Sequence, residues 1–510
     1  MDTPRDDSAL DDVAADRFEQ TSALFAAQRT AFDAAPWTPY ERRRAQLRSL
    51  RQAIRARAAQ CADAAARDFG TRAPSETMLL ELLPALLHID HLLHNLRRWM
   101  KPSRRRTELL FKTNRAWVQY QPKGVVGIVA SWNAPFYLTL GPLATAIAAG
   151  NRCLVKTSEY APLSSRVLCE LLSDVFAATE VAVVEGGADC ARHFCALPFN
   201  HIVFTGSSSI GRSVMRAAAD NLTPVTLELG GKSPAVVSRS ASLATAARRI
   251  VHGKISNGGQ ICVSPDHALV PREQVGAFVE HAAAAFADFA ADFTQYTSMI
   301  DERSWRRMHA LLDDAQAHGA RVIRCGTKGT PDDGTGSARR FPLTIVTDVT
   351  PAMRIAREEI FGPILPVVAY DSFEDALEHV RKGERPLALY WFGTDRREQE
   401  RIVRDAHSGG VTLNDWGWHV LNHDLPFGGS GHSGMGTYHG VEGFRELSHA
   451  KSVFAERRGF PVELFHPPYG RWAHRLVVRW YLGAGAAQGA YGAQDGAGAA
   501  PAPTPSRTRI

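Results

Sequence analysis

The feature that most constrains this chain is a series of short apolar runs, each followed by an amphipathic or small-residue stretch. GVVGIVA (124 to 130), RCLVK (152 to 156), AVV (182 to 184), HIVFTG (201 to 206) and VTLEL (225 to 229) form the series. They are the size of strands and apolar on both sides, which is the signature of buried parallel strands. A Gly/Ala/Leu stretch and SSRVLCELLSDVF (164 to 176) lie between them as helices. The alternation predicts an α/β fold with a doubly wound, Rossmann-like sheet. After Gly230-Gly231 a second series begins, PAVVS (234 to 238), HALVP (267 to 271), an Ala-rich helix (273 to 289) and ILPVVAY (364 to 370), and it predicts a second α/β domain. A chain of 510 residues has room for both cores.

The flanks read differently. Residues 15 to 100 repeat Leu, Ala and aromatic side chains at three and four spacings, as packing helices do, while TELLFKTNRAWVQYQ (107 to 121) reads as a hairpin. RWAHRLVVRWYL (471 to 482) is basic and amphipathic, suited to packing as a terminal helix or to touching a membrane surface or partner. Residues 483 to 505 carry almost no large apolar side chains and are expected to be disordered. The net charge of +6 comes from short basic runs that read as solvated helix ends, so no nucleic-acid partner is expected. Seven cysteines without CxxC pairs predict neither a disulfide framework nor a metal site. The polar N-terminus and the lack of a membrane-length apolar stretch lead to an expectation of a cytoplasmic protein with no transmembrane segment.

Four places could carry chemistry. Gly206, Ser207 and Gly211 follow an apolar strand and open a helix, where backbone N–H groups can meet a phosphate; the GxxxxG spacing fits an ordinary strand-to-helix turn equally. Cys262 follows Asn257-Gly258-Gly259-Gln260-Ile261, a backbone able to pass close to a ligand, although a lone cysteine is by default a small buried hydrophobe. Glu228 is a carboxylate inside an apolar strand, either desolvated and suited to taking a proton near neutral pH or held in a salt bridge. Asn133 follows the first strand of the series, where its amide could donate to an oxyanion or merely shape the turn before Pro135.

Taken in order, Pro122-Lys123-Gly124, Trp132-Asn133, Lys156-Thr157-Ser158-Glu159, Phe204-Thr205-Gly206-Ser207, Glu228-Leu229-Gly230-Gly231-Lys232, Gly259-Gln260-Ile261-Cys262 and Glu358-Glu359-Ile360-Phe361-Gly362-Pro363 resemble the aldehyde dehydrogenases from about residue 20 to 456. Pro386-Leu387-Ala388-Leu389-Tyr390 and LPFGGSGHSGMGTYHGVEGF (425 to 444) are similar to the class 3 branch, and within it to the coniferyl aldehyde enzymes. Ala134 stands where an aromatic residue often follows Trp-Asn, and Thr157 replaces the usual proline after Lys156.

The resemblance implies an enzyme that oxidises an aromatic or fatty aldehyde to its acid with NAD, NADP being admitted too. Cys262 would be the nucleophile, Asn133 and the Cys262 backbone N–H would hold the oxyanion, and Glu228 would activate the hydrolytic water. It puts Gly206 and Ser207 near the pyrophosphate, Lys156 and Glu159 near the adenosine ribose, Glu359 with Phe361 around the nicotinamide ribose and ring, and Trp132 and Gly211 among the remaining cofactor contacts. Trp416 and Trp418 could line an aromatic substrate mouth or pack ordinarily. The implied organisation is an N-terminal helical part of the cofactor domain (1 to 106), an oligomerisation hairpin (107 to 121), a dinucleotide-binding domain (122 to 231), a catalytic domain (232 to 425), a C-terminal family segment (426 to 456) and the basic segment with its tail (457 to 510), in a homodimer. Rival readings are a thiol esterase or acyltransferase without redox chemistry, and a non-catalytic dinucleotide-binding protein.

Overall fold

The computed structural model describes residues 7–326, 339–457 and 465–491. By compactness the chain divides into a large unit, residues 1–102 with 119–451, and a small one, residues 103–118 with 452–510.

In the large unit the short apolar runs are strands. One six-stranded sheet has the order Gly434–Met435, Val225–Leu229, His201–Gly206, Val125–Val129, Arg152–Lys156, Val181–Val184, all parallel except Gly434–Met435. From Val125–Val129 the chain adds two strands on one side, then returns to add His201–Gly206 and Val225–Leu229 on the other. The reversal creates a crevice beyond the carboxyl ends of Val125–Val129 and His201–Gly206, where open α/β sheets hold their ligands. A seven-stranded sheet has the order Arg321–Arg324, Thr344–Thr347, Ile364–Tyr370, His267–Pro271, Pro234–Val237, Ala388–Phe392, Gly410–Leu413, parallel except for its first pair.

Helices cover the first sheet for reasons visible in their faces. Leu47, Leu50 and Ile54 on helix Tyr40–Ala56, and Ile89, Leu92 and Leu96 on helix Leu83–Trp99, share one core with Val126 and Ile128 of the sheet. Each such side chain, once fully buried, contributes about 1.5–3 kcal/mol. Helix Tyr137–Ala149 is apolar all round and buried along its whole length. Between Pro74–Thr77 and Leu83–Trp99 the helix widens into a π-turn, Met78–Leu82, that carries the buried Glu81. No described helix is long and apolar enough to cross a membrane.

In the small unit, Ser103–Arg105 pairs antiparallel with residues 116–118. The hairpin expected over 107 to 121 is therefore displaced: Leu109–Phe111, an apolar run without alternation, coils into a 3₁₀ turn, and the partner strand lies earlier. Asn114 accepts a hydrogen bond from the Arg457 backbone N–H at 3.0 Å. Trp472–Leu482 is a helix. Ala484–Tyr491, expected to be disordered, is a second helix, because its alanines supply helix propensity where they supply no core. The rest of that tail lies outside the described residues.

Candidate active site

Cys262 owes its position to an unusual backbone. Asn257, Gly258 and Gly259 have φ of 52°, 60° and 75°, three successive residues in the left-handed region. Glycine is required at 259, since a Cβ there would lie 2.5 Å from the Gly362 carbonyl. Gln260 locks the turn: its amide donates to the carbonyls of Asn257 (2.9 Å) and Ser298 (3.0 Å) and accepts from the Ile300 N–H (2.9 Å). Cys262 follows as a half-buried, free thiol. Burial, with Glu359 and Glu228 adding to it, pushes this thiol up to about 12, against the pull of the Cys262 and Val263 backbone N–H groups.

Asn133 comes to the same place from the end of the first Rossmann strand. It is buried; its side-chain N–H donates to the Gln260 carbonyl at 3.1 Å, and its own carbonyl accepts from the Asn257 amide at 2.8 Å. An amide has two N–H donors, so one remains for a ligand. Asn133 and Cys262 line one apolar cavity of about 140 Å³ with Leu138, Ile261, Val420 and Phe427. Trp416 and Trp418 line it too: Trp416 is anchored by its indole N–H to His252 at 2.9 Å, and Trp418 is 58% exposed, a side chain of the rim.

Glu228 stands near the end of strand Val225–Leu229, paired across the sheet with Thr205 and Gly434. Among the described residues it makes no salt bridge. Both carboxylate oxygens are buried without a hydrogen-bond partner among the described residues, and burial raises the carboxyl well above the usual carboxylate range. Gly428 in the C-terminal run packs over it, a Cβ there being 3.3 Å from Glu228 Oε1.

The residues assigned by resemblance to the cofactor fall along the carboxyl edge of the Rossmann sheet and across from it. Lys156 ends its strand, donates to the Thr157 carbonyl at 2.6 Å and lies 3.6 Å from Glu159; burial lowers its pKa and Glu159 opposes. Gly206 ends the next strand but one, and Ser207 caps helix Ser208–Ala219 by accepting from the Ile210 N–H. Gly211 lets the helix approach the sheet, since a Cβ would sit 2.7 Å from Leu229. On the other side, Phe361 (φ 52°) meets Trp132 edge-on at 5.5 Å, and Glu359 lies against Gly230, accepting from the Gly231 N–H. Burial, then Asp266, brings the Glu359 carboxyl up to about 7.

A family model, "Aldehyde dehydrogenase family", matches residues 2–453. The chain belongs to this family. It is an NAD(P)-dependent aldehyde dehydrogenase. It is 45% identical over 466 residues to a probable coniferyl aldehyde dehydrogenase of Pseudomonas aeruginosa, covering 91% of this chain and 96% of that one. It is 42% identical to the coniferyl aldehyde dehydrogenase of a Pseudomonas species, covering 82% and 87%. Its fold is similar to the substrate-bound state of Staphylococcus aureus AldH, with TM-score 0.84, 32% identity, and 90% and 99% covered. It is also similar to a Mycobacterium tuberculosis aldehyde dehydrogenase complexed with NAD+, with TM-score 0.78, 29% identity, and 87% and 91% covered.

Sequence reasoning missed several residues that this dehydrogenase places on the cavity. Arg72 and Glu81 line it as a buried ion pair, 2.7 Å apart. Tyr137 lines it, and its hydroxyl lies between His423 Nε2 (3.2 Å) and His439 Nε2 (3.0 Å). Tyr438 lines it as well. Only Glu81, a charge inside the apolar pattern ETMLLELL, left a trace in the sequence.

Proposed function

We propose that this dehydrogenase oxidises an aromatic aldehyde of the coniferyl type to the carboxylic acid through a thioester on Cys262. The carrying observation is the apolar, aromatic-walled cavity that contains Cys262 and the free donor of Asn133. A planar aryl group fits against Tyr137, Trp416 and Phe427, and the coniferyl enzymes among the relatives support the same class.

The raised thiol implies that the nucleophile is made at the moment of use, when its proton leaves toward a base. That base is solvent reaching the half-buried thiol, and Glu228, buried and unpartnered, is left for the second half of the reaction. The Cys262 sulfur then bonds to the aldehyde carbon. The oxygen that becomes negative is met by the remaining Asn133 N–H and the Cys262 backbone N–H, and an aimed donor of this kind is worth about 3 kcal/mol. Hydride acceptance from that carbon is the chemistry NAD(P) would supply when bound. Glu228 next takes a proton from water as its oxygen attacks the thioester, and the sulfur leaves as thiolate.

For the cofactor, the capped helix after Gly206-Ser207 suits the pyrophosphate, and Glu159, 38% exposed, suits the two hydroxyls of a ribose. That favours NAD while leaving NADP a substrate if Glu159 turns aside. Glu359, Phe361 and Trp132 would contact the nicotinamide end. The Rossmann sheet with its N-terminal helices would be the dinucleotide-binding part, and the seven-stranded sheet the catalytic part. A cytoplasmic homodimer joined through the small β element is the accompanying reading, and a monomer by light scattering at working concentration would contradict it.

The test is absorbance of the reduced cofactor with NAD or NADP and coniferyl aldehyde, benzaldehyde or a long-chain aldehyde, for wild type and Cys262→Ala. Reduction is expected to be fastest with the aryl aldehydes and absent in the variant. Turnover that survives in Cys262→Ala would overturn the mechanism, and a preference for the long-chain aldehyde would overturn the substrate class.

A further inference from the structure

Helix Trp472–Leu482 carries its largest apolar side chains outward. A packing helix does the opposite, burying its apolar stripe and leaving polar side chains in water. Here the buried side chain is His474, whose Nδ1 accepts from the Gly470 N–H at 3.1 Å and whose ring lies 5.8 Å from that of Tyr469. Ala473, Val477 and Val478 are half-buried. Trp472 (77%), Leu476 (56%) and Trp480 (75%) are exposed, and their i, i+4, i+8 spacing puts them on one face. Tyr481 and Leu482 continue the exposed apolar surface to the helix end. Single apolar side chains on a surface are ordinary, whereas an aligned stripe with two indoles marks a docking face.

Arg471, Arg475 and Arg479 repeat the same spacing one position earlier, so a basic stripe flanks the apolar one. Arg471 donates to the carbonyls of Pro467 (2.9 Å) and Pro468 (3.2 Å), and Arg475 to that of Gly470 (3.0 Å). No Asp or Glu occurs from 465 to 491. Charge therefore selects the occupant. A second copy docking face to face would set arginines against arginines, while an anionic surface meets all of them favourably. The helix has 11 residues, about 17 Å of length, against a hydrocarbon thickness of about 30 Å, so it lies along a bilayer rather than across it. Tryptophan and tyrosine favour the headgroup depth that such a helix occupies.

We propose that helix Trp472–Leu482 docks the enzyme on the surface of an anionic phospholipid bilayer. Trp472, Leu476 and Trp480 enter the interface, and Arg471, Arg475 and Arg479 meet the lipid phosphates. The attachment is reversible and salt-sensitive, because the charges stay at the water boundary. It brings the dehydrogenase to the phase into which an apolar aldehyde partitions, and it does not depend on the chemistry assigned to Cys262.

The test sediments the full chain with vesicles of phosphatidylglycerol and phosphatidylcholine in equal parts, and with phosphatidylcholine alone. Binding to the anionic vesicles is expected at low salt and should fall as salt is added. Trp472→Ser with Trp480→Ser should weaken it at least about tenfold, and replacing Arg471, Arg475 and Arg479 by Gln should bring it down to the level of the neutral vesicles. Both variants should keep wild-type turnover of benzaldehyde in the absence of lipid. No binding to the anionic vesicles, equal binding to the two kinds, or binding that the tryptophan variant retains would each overturn the proposal. A tryptophan variant that becomes monomeric by light scattering, while wild type ignores vesicles, would give this face to a second copy instead.

Discussion

Glu81 and Glu228 are both buried carboxylates of the large unit, and the chain treats them oppositely. Glu81, on the π-turn, accepts from Arg72 at 2.7 Å and from the Phe136 and Tyr137 backbone N–H groups at 2.8 and 3.3 Å. Burial still raises its carboxyl, but the Arg72 charge and those N–H groups pull it back. Glu228 has burial alone. The first arrangement fixes the start of helix Tyr137–Ala149, and hence Tyr137 in the cavity wall; the second leaves a carboxyl that no described side chain or backbone group holds. Asp266 belongs with Glu81: burial works to raise it, and Lys232 together with His267 outweighs burial, while the Ile360 N–H donates to it at 2.9 Å. A partnered carboxylate supports the fold, whereas one without a partner among the described residues costs stability, a cost that the base role proposed for Glu228 would explain.

The contrast is sharpest in turnover. Glu228→Gln should slow it about 10²–10⁴-fold, the usual worth of a positioned base, read as steady-state kcat with benzaldehyde. Arg72→Met comes next: it leaves Glu81 buried without its cation and should destabilise the protein by about 3–5 kcal/mol in chemical denaturation. Arg72→Met as stable as wild type would break the comparison from the structural side.

Glu228→Gln should change stability in the other direction. The folded carboxyl is raised, so as pH climbs above the ordinary carboxylate range the folded chain holds a proton that the unfolded chain has lost, and stability falls. Removing the titrating group should stabilise by about 1–3 kcal/mol at neutral pH, with the gain vanishing in acid where both states are protonated. Denaturation of the two proteins at acid and neutral pH reads this. The smallest effect is the pH profile of wild type: with Cys262 near 12 and Glu228 raised, kcat/KM should climb from neutral toward alkaline pH, and a profile that falls there would contradict both shifts.

What was legible in the sequence follows the range of each interaction. The strands 201 to 206, 225 to 229, 267 to 271 and 364 to 370 were legible because a buried parallel strand writes its burial locally. The glycines before Cys262 were legible as a place of close backbone approach, though not as a left-handed turn, and Glu228 was legible because a charge inside VTLEL has no local excuse. Tyr137 meets His439 across 302 residues, and Tyr438 reaches the cavity from the C-terminal run; nothing near either residue records those partners. The 107 to 121 hairpin and residues 484 to 491 of the tail departed from the reading for a local reason, since Leu109–Phe111 coils within a segment read as strand and alanines after Gly483 favour helix without a core.

The most direct test of the account is covalent. Glu228→Gln is mixed with NAD and benzaldehyde, quenched in acid, and Cys262 is examined by peptide mass spectrometry. The account predicts about one reduced cofactor per site, followed by arrest with a benzoyl group on Cys262. Full turnover with an unmodified Cys262, or an acyl group on another residue, would contradict it.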